Sequence, residues 1–190
     1  MINVHVCDTS SKEGIAAANN LQRIKFKHII IFSAPMSNGV GVMVEKVVAE
    51  AQKSPTGLIK KLAIWAHGGP GSQGVSRGRE SEFNKDWAGI DLDTLAHNQD
   101  MQNLLRRLWD VLDWNGWVEL RGCQVGAGVA GSMFLTILAN KIWEVPVYAG
   151  EVDQAVVVGG NGLELAWTGT VHVATPGMMG TSTFQGQIRR

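Results

Sequence analysis

A chain of 190 residues with 45% apolar and 18% charged side chains is long enough to bury a core and too apolar to stay disordered. Seventeen basic residues balance seventeen acidic ones, which removes the cationic excess of a nucleic-acid-binding or membrane-surface protein. The two cysteines, Cys7 and Cys123, make no disulfide framework and suit a reducing compartment.

The N-terminus, MINVHVCDTSSKEG, has neither the charged head nor the apolar run of a signal peptide, so a cytoplasmic protein, or one exported without such a signal, is expected. Residues 2–6 suit a short edge strand and Gly14 to Leu21 a short helix. Together 1–26 read as an N-terminal extension to a domain spanning 27–175. Lys27 to Ala34, KHIIIFSA, is a strand: its continuous isoleucines suit burial on both faces, and Pro35 ends it. Asn38 can cap a helix to about Gln52, with Val42, Val44 (or Met43), Val47 and Val48 inward, until SPTG (54–57) breaks it.

Lys61 to Ala66, KLAIWA, is a second strand and runs into His67-Gly68-Gly69-Pro70-Gly71. Ser72 to Asn84 reads as a hairpin or surface loop. Asp100 opens a helix, DMQNLLRRLWDVLDW, with Leu104, Leu105, Leu108, Trp109 and Leu112 on one face, and Asn115-Gly116 stops it. A third strand, 117–123, ends at Cys123. A glycine-rich turn and an apolar helix over 128–143 follow. The uncharged run from Cys123 to Asn140 is the membrane candidate; its glycines and Gln124 make it a turn plus a buried helix instead.

Val145 to Ala149 is a fourth strand. Residues 154–159 and 163–174 suggest an antiparallel hairpin, and 176–190 a flexible tail. The alternation of strand and helix predicts an α/β fold: a three-layer sandwich with a mostly parallel central sheet, helices on both faces and a C-terminal β-hairpin.

His67 closes one strand and Cys123 the next. If the two strands are parallel neighbours, both side chains emerge at one edge, where chemistry gathers in open α/β sheets. A thiol nucleophile needs a lowered pKa, a base and donors for an oxyanion. The helix after Gly126–Gly128 offers a dipole and His67 a base. Gly68, Gly69 and the N–H of Cys123 offer donors. Arg121, two residues before Cys123 on the strand, shares its face. It either favours a carboxylate in a substrate pocket or pairs with Glu151 or Asp153 just past the fourth strand, leaving that pocket neutral or acidic. His5, His28, His97 and His172 have no metal-ligand spacing with the cysteines, so no metal or cofactor is expected.

WAHGGPG together with LRGCQVGAG resembles the caspase-like clan of cysteine peptidases, which includes caspases, legumains, gingipains, clostripain, separase and bacterial CHAT-type domains. The likeness covers about residues 28–175 and is closest to the bacterial branches. It implies a caspase-like fold acting on a protein or peptide substrate. It also implies a His67–Cys123 dyad and an oxyanion hole from the N–H groups of Gly68 and Cys123. Arg121 falls where the clan tends to line its specificity pocket.

Three rival readings stand beside it. Gly126, Gly128 and Gly131 match the G-x-G-x-x-G dinucleotide fingerprint, although Arg121, Gly122 and Gln124 interrupt the strand before it. Cys123, Asp153 and His172 follow the nucleophile–acid–base order of α/β-hydrolases, without the glycines of a nucleophile elbow. The same caspase-like fold can also serve as a catalytically inactive interaction module with Cys123 buried.

Overall fold

The computed structural model describes residues 1–23, 29–32, 39–76, 87–154, 157–158 and 165–185. In chain order its elements are β1 (Ile2–Cys7), α1 (Lys12–Leu21), β2 (Ile29–Phe32), α2 (Gly39–Gln52), β3 (Ile59–Trp65), the short strands β4 (Gly68–Gly69), β5 (Ser72–Gly74) and β6 (Gly89–Asp91), α3 (Leu92–His97), α4 (Gln99–Arg106), β7 (Leu112–Leu120), α5 (Gly128–Ile137), β8 (Val147–Gly150), β9 (Val157–Val158), β10 (Leu165–Ala166), β11 (Thr170–Ala174) and β12 (Ser182–Gln185). The main sheet has seven strands in the order β12-β11-β8-β7-β3-β1-β2. β2, β1, β3, β7 and β8 run parallel, while β11 and β12 are antiparallel additions at one edge.

Strand alternation assigns the two faces. Val4, Val6, Leu62, Ile64, Val118, Leu120 and Val147 point to one side and meet Val40, Met43, Val44 and Val47 of α2, Leu105 of α4 and Phe134 and Leu135 of α5. On the other side Cys7, Ala63 and Trp65 pack against Ala17, Ala18 and Leu21 of α1. Further along that side, Trp117, Tyr148, Trp167 and Val171 form a separate aromatic cluster. Helices therefore cover both faces, and the protein is α/β with a mostly parallel sheet, as the alternation of strand and helix predicts.

Several local expectations need correction. Residues 2–7 are an interior strand between β2 and β3, not an edge. With Val4, Val6 and Cys7 fully buried, this segment is a central part of the domain and not an extension of it. The helix opened by Asp100 stops at Arg106, tightens into a 3₁₀ turn at Trp109–Val111, and Leu112 already pairs with Ile59 in the sheet. Leu108, Val111 and Leu112 are buried, so the apolar periodicity outlasts the α-helix that it imitates. Between Leu112 and Trp117 the register jumps, and Asn115 turns the chain by donating its N–H to Asp113 Oδ1 at 2.8 Å. β7 ends at Leu120, leaving Cys123 in the turn beyond it. The helix after it is α-helical to Ile137 and widens into a π turn over Leu138–Ile142. Part of the expected tail is ordered, because β12 pairs with β11. The Asn38 cap and the Pro35 strand end lie outside the described residues.

Candidate functional site

β3 and β7 are parallel neighbours, so the turns after them share the carboxyl edge of the sheet. These turns carry His67 and Cys123, and their backbones touch. A Cβ placed on Gly68 would stand 2.9 Å from Gly122 Cα, 3.0 Å from the Cys123 carbonyl oxygen and 2.6 Å from a Val125 methyl. A Cβ on Gly122 would in turn stand 2.9 Å from Gly68 Cα. Glycine at both places is what lets the two turns close.

The contact is stapled from three sides. Gln73, only 1% exposed, accepts the Gly122 N–H through Oε1 at 2.9 Å and donates from Nε2 to the Gly74 carbonyl at 2.9 Å. Gly71 donates its N–H to the Val125 carbonyl at 3.1 Å. Gly74 donates to the His67 carbonyl at 2.8 Å and so closes the β4–β5 hairpin behind the histidine. An open cleft of about 530 Å³ runs from His67 and Gly68 past the hairpin to Trp87–Asp91.

Beyond β7 the chain continues to pair with the segment after β8. Gln124 donates its N–H to the Val152 carbonyl at 3.2 Å, and Gly126 donates to the Gly150 carbonyl at 2.9 Å. Gln124 does so at φ 58°, a left-handed conformation that a non-glycine residue adopts at a cost of about 1–2 kcal/mol. Its side chain donates to Asp153 Oδ1 at 2.9 Å. Gln154, through its backbone, and Asp153, through its side chain, both act on the Cys123 thiol. Gln154 is held by its own amide, which donates to the Val152 and Thr168 carbonyls at 2.8 and 3.0 Å.

The thiol is pushed up from its ordinary value, first by burial. The Gln154 N–H works against that rise, while the Glu13 and Asp153 carboxylates add to it. A lowered thiol pKa, expected from a helix dipole and an imidazole, is therefore not the resting state. α5 begins only at Gly128, and two carboxylates with partial burial outweigh one N–H donor. Cys7 is a different case: wholly buried on β1, its thiol is pushed up to about 12 by burial alone.

Glu13 has no local signal for this site in the sequence. It stands in the first turn of α1, and its Oε2 lies 3.3 Å from His67 Nδ1. Its side chain is 19% exposed, against 70% for the imidazole.

Arg121 lies elsewhere. It is 3% exposed, donates from Nε and Nη2 to Glu119 Oε2 at 2.9 and 2.8 Å, and stacks on Trp167 at 3.5 Å and on Trp65 at 4.9 Å. Its ion-pair partner is thus two residues back, on β7, and neither Glu151 nor Asp153 takes that place. Glu151 is exposed and faces His172 Nε2 at 3.7 Å, so His172 is not oriented by Asp153 as a hydrolase order would require. Two glycines of the dinucleotide pattern have packing reasons. A Cβ on Gly126 would meet the Ala149 carbonyl at 2.8 Å, and one on Gly131 would meet Gly126 at 2.3 Å; Gly128, at φ 63°, faces open space. Among the described residues no group of His, Cys, Asp and Glu is arranged to hold a metal ion, and no helix is long and apolar enough to cross a membrane.

No family model, curated protein or solved structure matches this chain.

Proposed function

We propose that this chain is a caspase-like, three-layer cysteine endopeptidase in which His67 and Cys123 form the dyad. The contact between the Gly68 and Gly122 backbones carries the reading, because it ties the histidine turn to the cysteine turn at one sheet edge. The WAHGGPG and LRGCQVGAG segments, with their resemblance to the clan, supply the chemistry. His67 takes the thiol proton as sulfur attacks the peptide carbonyl carbon, and the carbonyl π electrons move onto oxygen. The N–H groups of Gly68 and Cys123 are the proposed donors to that oxyanion. Collapse breaks the C–N bond, His67 protonates the leaving amine, and a thioacyl-enzyme remains. Water, deprotonated by His67, then attacks the thioester and releases the acid and the thiol.

The raised thiol suits a nucleophile that loses its proton during attack and not a standing thiolate. Since Arg121 is bonded to Glu119 and stacked between rings, we do not assign it to a carboxylate-selecting pocket. Glu13 and Asp153 both act on the Cys123 thiol, and with Glu151 two residues before Asp153 they fit a neutral or basic residue before the scissile bond.

The same raised thiol favours one second reading, an interaction module of this fold with an unreactive Cys123. One experiment separates the two. Wild type and Cys123→Ala are incubated with a fluorogenic peptide library, and both are followed for self-cleavage by mass spectrometry. Hydrolysis by the wild type that falls at least about a thousandfold in the variant supports the peptidase. Equal signals from both, or none from either, overturn it in favour of the module.

A further inference from the structure

We propose that Glu13 is a positioning residue for His67: its buried carboxylate oxygen, 3.3 Å from Nδ1, holds the imidazole in the Nδ1–H tautomer and leaves Nε2 unprotonated as the base. The inference rests on the peptidase reading for what Nε2 does, but not for which tautomer is present.

The argument starts with how Glu13 is held. Asp8, just past β1, donates its N–H to the Trp65 carbonyl at 2.8 Å, so the ends of β1 and β3 are tied together next to His67. Ser11 donates from Oγ to the Asp8 carbonyl at 2.9 Å and accepts the Gly14 N–H at 2.9 Å, which caps α1 directly on that tie. Gly14 has no room for a side chain: a Cβ there would fall 2.1 Å from the Asp8 carbonyl oxygen. The first turn of α1 is therefore pressed against the strand end, and Glu13, between Ser11 and Gly14, has a fixed origin.

The carboxylate itself is aimed at the histidine. Among the described residues Oε2 is shielded from solvent and accepts no hydrogen bond; its contact with Nδ1 at 3.3 Å is an ion-pair contact, within reach of an Nδ1–H once the ring turns toward it. A buried carboxylate oxygen left without a proton donor is costly, and an Nδ1–H removes that cost. The imidazole is otherwise open to solvent, so Glu13 is the described group that fixes which nitrogen carries the proton. The same carboxylate acts electrostatically on the Cys123 thiol and raises it. It does not touch the reacting atoms in this arrangement, so its role is to orient.

The test is ¹⁵N NMR of the full chain labelled at histidine, with the His67 signals assigned by their loss in His67→Asn. In neutral wild type, His67 is expected to show a protonated Nδ1 and an unprotonated Nε2. Glu13→Gln is expected to move the ring to a mixture of tautomers. With a cleaved peptide in hand, kcat is expected to fall about 10- to 100-fold with KM within about twofold, since orientation of the base is lost and binding is not. If Glu13→Gln does not fold, Glu13→Asp carries the same test, because the carboxylate then sits one methylene further from the ring and a partial shift is expected. An unchanged His67 tautomer in the variant that folds overturns the proposal. A tautomer shift in a protein that cleaves nothing supports the positioning by Glu13 and removes only the peptidase reading.

Discussion

One face of the sheet is covered by α2, α4 and α5, and its buried strand residues are Val, Ile, Leu and Ala. The opposite face buries His5, Lys61, Glu119 and Arg121 among tryptophans, with α1 over one half and the Trp117–Tyr148–Trp167 cluster over the other. The first face is held by packing, which is tolerant of small shifts and has no directional requirement. The second is held by partners that must be present in full, because a buried charge without its counter-charge costs several kcal/mol. The candidate site grows from the second face and its edge: Arg121 precedes Gly122, and Glu13 reaches His67 from the helix on that side. The protein keeps its tolerant apolar packing on one side of the sheet and its electrostatic demands on the other.

Removing Arg121 should have the largest effect of all on the second face. Arg121→Met takes from Glu119 its guanidinium and leaves Lys61 and the Trp117 Nε1 bond at 2.9 Å to hold the carboxylate, and should cost about 3–5 kcal/mol in urea unfolding. Phe134→Ala on the first face should cost a similar ~3–5 kcal/mol through a cavity. The difference lies in rescue. Adding Glu119→Gln should restore much of the Arg121→Met loss and none of the Phe134→Ala loss; equal rescue, or none at either site, would contradict the division.

Acid should strike the second face next. Burial alone would push Glu119 up, but Arg121, Lys61 and the bonds from Trp117 and Arg121 outweigh it and hold the carboxyl at about 2. Its pKa is lower folded than unfolded, so its stabilisation is complete above about pH 4.5 and lost as pH falls toward 2. The loss should be about 3 kcal/mol, read from urea midpoints across that window. Glu119→Gln should flatten this part of the profile.

Gly68→Ala tests the site more than the fold. The added methyl would press on Gly122, Cys123 and Val125, forcing the two turns apart. Peptide hydrolysis should fall about 100-fold while thermal unfolding moves little, since displacement of reacting groups by about 1 Å is enough for that loss. An active Gly68→Ala enzyme would mean that the turn contact does not set the geometry.

Much of the parallel core was readable because its strands announce themselves locally: KLAIWA and WVEL are apolar runs followed by glycine turns, and those turns mark the positions of His67 and Cys123. Charge at Glu119 and Arg121 alternating with Val118 and Leu120 also signals one polar face, and the period of two pairs Glu119 with Arg121 as readily as it pairs Arg121 with Cys123. What decides between these partners is Trp65 and Trp167, which arrive from distant parts of the chain. Glu13 was not readable for the same reason. A glutamate in a first helical turn is fully explained by the helix dipole, and its contact with His67 exists only once β1 takes an interior place in the sheet. The end of α4 is hidden in the sequence because burial continues through Leu108 and Leu112 after the α-helical backbone has stopped.

The smallest effect tests how α1 is anchored on the second face. Ser11 is fully buried, and its hydroxyl both caps Gly14 and bonds the Asp8 carbonyl. Ser11→Ala removes both bonds and should cost about 1 kcal/mol, or about 2–4 °C in Tm for a chain of this size. Because Glu13 lies between this cap and Gly14, the loosened turn should also weaken the hold on His67. The ¹⁵N spectrum should then show a tautomer shift smaller than that of Glu13→Gln. A stability loss with an unmoved His67 would mean that Glu13 keeps its place through Gly14 and the strand end alone, and the cap would then serve only the helix.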